Sequence, residues 1–112
     1  MKRGEIWWAN LGEPSGSEPG YRRPAVIVSA NEFNLTTINT LIVVFLTTNA
    51  ARARDHGNLW LTSRQTGLPH PSTLNITQIS TVDRRVLAER VGHLNDEVMA
   101  RIDAGLRMVL AL

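Results

Sequence analysis

Leu41-Ile42-Val43-Val44-Phe45-Leu46, entered from Thr40 and closed by Thr47-Thr48-Asn49, is the longest apolar run in the sequence. It is rich in β-branched residues and too short for an average helix, so it reads as a strand. It shows no polar alternation, which places it centrally in a sheet and buries it on both faces. A strand of that kind needs neighbours on either side. On its N-terminal side, across a polar stretch from Asn31 to Asn39, Pro24 to Ala30 is a second strand centred on Ala25-Val26-Ile27-Val28. Pro24 suits a strand's first position, where a missing N–H does least harm. Further out, Gly4 to Leu11 reads as a first strand, with Ile6 and Trp8 on one face and Glu5 and Trp7 on the other. Trp8, sharing the face of Ile6, is expected in the core. Between these two strands residues 12–23 carry Gly12, Pro14, Gly16, Pro19 and Gly20. A turn-rich loop this long in a short domain is more often functional than idle.

On the C-terminal side, Gly57 to Thr62 reads as a fourth strand, and Gly67 with Pro69-His70-Pro71 as a turn. Ser72 to Ile79 is a fifth strand, Asp83 to Leu87 one helical turn, and Arg90 to His93 a brief strand. A helix closes the chain. Asn95 is its N-cap, Asp96 and Glu97 favour its positive end, and Leu94 can staple onto Met99. Val98, Met99, Ile102, Leu106, Val109 and Leu110 form one apolar stripe. Glu97–Arg101 and Asp103–Arg107 are expected as i,i+4 ion pairs. Short strands separated by turns, with one helix last, predict a small, strongly curved antiparallel sheet or partly open barrel with the helix packed on it.

The chain's 112 residues, 43% hydrophobic and 20% charged, fit one globular domain of 1–112 and exclude intrinsic disorder. No cysteine is present, so disulfides and thiolate metal sites are excluded. The first residues, Met1-Lys2-Arg3-Gly4-Glu5, are not a signal peptide, and the longest apolar run is far short of a membrane span, so no membrane partner is expected and the cytoplasm is the expected location. Of the twelve basic residues eleven are arginine, a planar fork suited to phosphate oxygens. There is no Walker loop or dinucleotide fingerprint. His56, His70 and His93 show no metal-ligand spacing and read as surface or loop residues, and no metal or other cofactor is expected.

What remains is a set of arginines and hydroxyls at loop–strand junctions. Arg22-Arg23 precede Pro24, and Thr47-Thr48 end the third strand. If strands two and three are neighbours, these junctions lie close together, and an arginine beside a hydroxyl donor makes a phosphate clamp.

Arg3-Gly4-Glu5-Ile6-Trp7, Gly16-Ser17-Glu18-Pro19-Gly20, Arg23-Pro24-Ala25-Val26-Ile27-Val28-Ser29, Leu46-Thr47-Thr48-Asn49 and Gln78-Ile79-Ser80-Thr81-Val82-Asp83 with Arg84-Arg85-Val86-Leu87, in that order, resemble the signature of MazF/PemK toxins. The resemblance covers essentially the whole chain. It implies an SH3-like curved antiparallel barrel with a C-terminal helix, shared with CcdB-type toxins. It also implies a homodimer that binds single-stranded RNA along the dimer interface and cleaves it at a short sequence, and a short MazE-like antitoxin as partner. Position by position, Arg23 matches the family's catalytic arginine, Thr47 its catalytic threonine, and Glu18 the acidic residue of the Gly-Ser-Glu loop. Gln78 matches a glutamine with a structural or RNA-contacting task. The loop from Gly12 to Arg22 matches a mobile segment that closes over RNA.

RNA carries its own nucleophile, so cleavage through the 2′-hydroxyl needs no metal. In that chemistry Arg23 would chiefly stabilise the charge growing on phosphorus, with proton donation to the leaving 5′-oxygen as a second role, Thr47 would donate a hydrogen bond to a phosphate oxygen, and Glu18 would be the general base. Tyr21 is the best candidate for stacking on an unpaired base, with Trp7, Trp8 and Phe33 behind it. Arg22, Thr48, Asn49 and Arg52 are the further expected RNA contacts, with Arg54 able to follow the backbone. Two other functions fit the same fold: a CcdB-like gyrase poison and a non-catalytic SH3-like binding module.

Overall fold

The computed structural model describes residues 1–12, 16 and 21–112. Six strands form one antiparallel sheet: β1 (Glu5–Asn10), β2 (Arg22–Ile27), β3 (Thr40–Thr47), β4 (Leu59–Leu61), β5 (Ser72–Asp83) and β6 (Leu87–His93). Their spatial order is β4-β5-β3-β2-β1-β6. Three helices accompany them: α1 (Asn31–Asn34), α2 (Ser63–Thr66) and the long α3 (Asp96–Leu110). The expected class, mainly β in a curved antiparallel sheet with a C-terminal helix, is the one observed.

The apolar run is central. β3 pairs with β2 on one side and β5 on the other. Its side chains divide between two buried clusters. Val44 and Leu46 join Ile6, Val26, Leu74 and Ile76 beneath Val98, Met99 and Ile102 of α3. Leu41, Val43 and Phe45 join Ala25, Ile27 and Leu87 on the other face. A sheet with apolar layers on both faces explains why β3 shows no polar alternation.

Curvature comes from irregular pairing. The β3–β5 ladder is interrupted between Val44 and Leu46, and the β1–β6 ladder slips at Ile6/Trp7 and Trp8/Ala9. Such bulges bend a strand and raise its twist. The two sheet edges are then tied by the corner that follows β4. Thr62 and Gln65 make a capping box at the start of α2, and Gly67 ends the helix in the left-handed region at φ 82°. This corner packs on β6. A Cβ on Gly92 would stand 2.6 Å from the carbonyl oxygen of Thr66, so only glycine lets β6 approach this closely.

Several expectations shift in detail. β2 begins at Arg22 and stops at Ile27, β4 is shorter than expected, and β5 runs four residues further, to Asp83. β6 begins at Leu87 rather than Arg90. Asn31–Asn39 contains α1, and the turn after Asp83 is a 3-10 turn, Arg84–Val86, in which the Asp83 side chain accepts the Arg85 N–H. α3 carries the expected Asn95 cap, which accepts from the Val98 N–H. Its expected ion pairs do not form. Asp103 instead accepts from the Arg3 guanidinium, which also donates to the carbonyl of Val28 and so ties α3 to the end of β2. A long-range partner held by two acceptors displaces a flexible neighbour on the same helix.

Glu5 is almost buried. Burial pushes its carboxyl up, but the Lys2 N–H, the Trp7 indole, the N-terminus and Arg90 outweigh this and hold it below its ordinary value. No helix among the described residues is long and apolar enough to cross a membrane.

Candidate functional site

A cavity of about 270 Å³ opens at one end of the sheet, where four strands deliver side chains to it. β1 gives Trp8, β2 gives Arg22, Arg23 and Pro24, β3 gives Leu46 and Thr47 with Thr48 just beyond, and β5 gives Ser72 at its start. The corner after α2 adds Leu68, Pro69 and His70. The volume falls near the lower end of the roughly 300–1,000 Å³ of small-molecule pockets.

Register brings these junctions together. β2 pairs with β3 as Ala25 with Phe45, Val26 with Val44 and Ile27 with Val43. The same register carried two residues further sets Arg23 opposite Thr47, with Pro24, which has no N–H to donate, between them and the ladder. Thr47 in turn pairs with Thr73, and Arg23 with Ala9. The two junctions that the sequence could only suggest as neighbours are neighbours.

Thr47 is oriented by its own chain. Its Oγ1 accepts the Asn49 N–H at 3.2 Å, which fixes the hydroxyl and leaves its hydrogen for an outside acceptor. Asn49 is held in turn: its side chain caps the Ala50–Arg54 3-10 turn through the Ala51 N–H, and its carbonyl accepts from Thr73 Oγ1 at 3.4 Å. Arg22 and Arg23 both line the cavity but stand in different surroundings. Arg22 lies over the Trp8 ring at 4.5 Å and pairs with Glu89 at 2.9 Å. Arg23 is half-buried, with no carboxylate paired to it among the described residues.

Arg22, Arg23, Thr47 and Thr48 therefore gather at one cavity, and other expected site residues do not line it. Tyr21 is exposed at the neck of the loop, in the left-handed region at φ 57°. Its carbonyl accepts the Leu11 N–H at 2.7 Å, and its own N–H donates to Gly12. Arg52 is exposed in the 3-10 turn and paired with Asp55. Gln78 is half-buried in the bulged stretch of β5. Glu18 lies outside the described residues, as does most of the loop.

Trp8 corrects an expectation. It is half-buried and forms a wall of the cavity, while Trp7 packs on the second core cluster. Alternation along β1 holds, with Trp7 and Ala9 on the second cluster and Ile6 on the first; Trp8 keeps the face of Ile6, but there that face opens into the cavity instead of closing over core. Trp8 sits in register with Pro24 on one side and Glu89 on the other, so Arg22 reaches both the indole face and the Glu89 carboxylate. His70 and Ser72 were not expected in the site. The signal was the Pro69-His70-Pro71 turn just before β5, but its nearness to Thr47 follows from β5's register. A second groove, of about 420 Å³, lies at the other ends of β2, β3 and β5, between Ser29, Phe33, Ile38, Ile42 and Thr81.

A six-stranded, strongly curved antiparallel sheet capped by a C-terminal helix, with an arginine–threonine cavity at one sheet end, defines a small toxin-like barrel of the PemK type. The family model described as PemK-like, MazF-like toxin of type II toxin–antitoxin systems matches residues 2–110, and the chain belongs to that family. It is 40% identical over 112 residues to endoribonuclease MazF6 of Mycobacterium tuberculosis strain H37Rv, covering 100% of this chain and 98% of the relative. It is 30% identical to endoribonuclease EndoA of Bacillus subtilis strain 168, covering 100% and 96%. Among solved structures, MazF of Deinococcus radiodurans superposes with a TM-score of 0.81 at 21% identity, over 100% of this chain and 97% of that one. A mycobacterial endoribonuclease in complex with its cognate antitoxin superposes at 0.79 and 23% identity, over 100% and 96%.

Proposed function

We propose that this chain is a sequence-specific, metal-independent endoribonuclease that cuts single-stranded RNA, as the toxin of a toxin–antitoxin pair. The observation that carries the reading is the shared cavity of Arg23 and Thr47, whose side chains suit one phosphodiester. Relatives at 40% and 30% identity that bear the name endoribonuclease support it.

The 2′-hydroxyl attacks the adjacent phosphorus, the bond to the 5′-oxygen breaks, and the products are a 2′,3′-cyclic phosphate and a 5′-hydroxyl. Arg23 offers two parallel N–H groups to the non-bridging oxygens as negative charge grows there. A guanidinium has no lone pair free to take a proton, so it is not the base. Thr47 donates its hydroxyl hydrogen to the same phosphate. The Thr47 hydroxyl is held before the reaction by the Asn49 N–H, which is how such a group lowers a barrier without reorganising. Glu18 is assigned the proton of the 2′-hydroxyl. Arg22 and Thr48 hold flanking phosphates, Tyr21 stacks on a base at the loop neck, and Asn49, Arg52 and Gln78 make outer RNA contacts. The working form is a homodimer, and an antitoxin related to MazE is the natural inhibitor. The mycobacterial and Deinococcus relatives solved with their antitoxins support that partner.

The test is direct. A long single-stranded RNA is incubated with the protein in EDTA, and cut sites and end chemistry are mapped. The reading expects site-limited cuts with cyclic phosphate ends that vanish in Arg23→Ala. Intact RNA, or cuts unaffected by Arg23→Ala, would overturn it. Inhibition of DNA supercoiling with RNA left whole would favour a gyrase poison instead.

A further inference from the structure

Cleavage through the 2′-hydroxyl has two proton transfers, and for the second the sequence reading offers only Arg23. As the bond between phosphorus and the 5′-oxygen breaks, that oxygen leaves as a strongly basic alkoxide unless a proton reaches it. A guanidinium gives up a proton only with difficulty, and a threonine or serine hydroxyl is no better an acid near neutral pH. Among the described residues, the cavity's lining includes one other residue whose side chain carries a mobile proton, His70. An imidazole releases and regains a proton near neutral pH, which is what a general acid requires.

The placement of His70 is defined. Leu68 is buried on one side and Ser72 on the other, so the segment is anchored at both ends. Pro69 and Pro71 restrict the backbone on either side of the histidine. The carbonyl of His70 accepts from Ser72 Oγ at 3.2 Å, and the residue is exposed. β5 starts beside Thr47, because Thr73 pairs with it.

Resting on the ribonuclease reading, we propose that His70 is a catalytic residue that protonates the leaving 5′-oxygen. The 2′-oxygen forms its bond to phosphorus and gives its proton to the base. The electrons of the breaking bond stay on the 5′-oxygen, and that oxygen takes the imidazolium proton. His70 is left neutral and regains a proton from water after product departs. Arg22 and Arg23 line the same cavity, and the bound phosphodiester brings negative charge to it. Glu89 is engaged with Arg22. The acid must be charged to act, so kcat/KM falls on an alkaline limb.

The experiment uses the full chain and a short RNA around a mapped cut site, made with either the normal 5′-oxygen or a bridging 5′-sulfur at the scissile bond. A thiolate leaves without a proton. His70→Ala and His70→Gln are expected to slow the oxygen substrate by about 10²–10⁴-fold, to lose the alkaline limb, and to cut the sulfur substrate within about tenfold of the parent. Arg23→Ala is expected to be slow on both substrates. His70 variants equal to the parent on oxygen, or equally slow on oxygen and sulfur, would overturn the inference while leaving the ribonuclease reading intact. A parent protein that cuts neither substrate would overturn both. Thermal melts matching the parent are expected for the variants, because the imidazole is exposed.

Discussion

Gly92→Ala tests whether the corner after β4 both closes the sheet and supports the cavity. A Cβ at residue 92 would meet the Thr66 carbonyl oxygen at 2.6 Å and its carbon at 3.5 Å. Ordinary contact begins near 3.4 Å, so β6 and the corner must part by most of an ångström. The obstacle is backbone at the C-terminal end of α2, which cannot rotate aside. Inserting a methyl group into a packed site costs about 1–3 kcal/mol. Replacing glycine by alanine recovers about 0.4–1 kcal/mol by reducing the freedom of the unfolded chain. The net expectation is a loss of about 1–2 kcal/mol. For a domain of this size that is a fall in Tm of roughly 4–12 °C. The corner continues as Leu68, Pro69 and His70, so RNA cleavage should fall more than the lost folded fraction explains. Denaturant melts followed by circular dichroism give the first quantity, and single-turnover cleavage well below the Tm gives the second. An unchanged melting temperature would show that the two edges are not held at this point.

Other consequences can be measured as well. Thr47→Val should lower cleavage by about 10²–10³-fold, the effect of losing one preorganised donor, while Thr47→Ser should keep most of the rate; single-turnover assays check both. Arg22→Ala removes an exposed ion pair and should change stability by less than about 1 kcal/mol. If Arg22 holds a phosphate, the slope of log affinity for single-stranded RNA against log salt should shrink by about 0.7, measured by fluorescence anisotropy. The Glu5 carboxyl is held below its ordinary value of 4.5 in the folded chain, so the stability it adds is present above that pH and is lost as pH falls through the lowered value. Glu5→Gln should therefore lower Tm at pH 7 and flatten the loss of stability between pH 5 and pH 3 in scanning calorimetry. Asp103→Ala should destabilise by about 1 kcal/mol, since it frees a half-buried Arg3 from a charge-assisted bond, whereas Arg107→Ala should leave the melt unchanged.

Much of the fold was legible because periodicity and capping are local. The apolar run from Leu41 to Leu46, the cap at Asn95 and the stripe through Val98, Met99 and Ile102 each depend on residues a few places apart. The capping box of α2 was written in the sequence too, in Thr62 and Gln65, but four residues give no periodicity to draw attention to it. The burial of Trp8 was missed for a different reason. Alternation gives the face correctly, since β1 is regular against β2 and the extra residues of the β1–β6 slips, Ala88 and Val91, lie in β6; it does not say where along that face the core ends and a cavity opens.

The sequence alone determined which segments become strands and which becomes the helix, and it supplied an arginine before a proline and a threonine pair at a strand end. Only the tertiary structure decided that Arg23 and Thr47 share a cavity with Trp8 and His70, that Arg22 rests on Trp8 against Glu89, and that Asp103 takes Arg3 for its partner. The physical reason is range. Turn chemistry and side-chain periodicity are set over a few residues, whereas register between strands and the packing of β6 on the α2 corner are set by contacts between segments far apart in the chain.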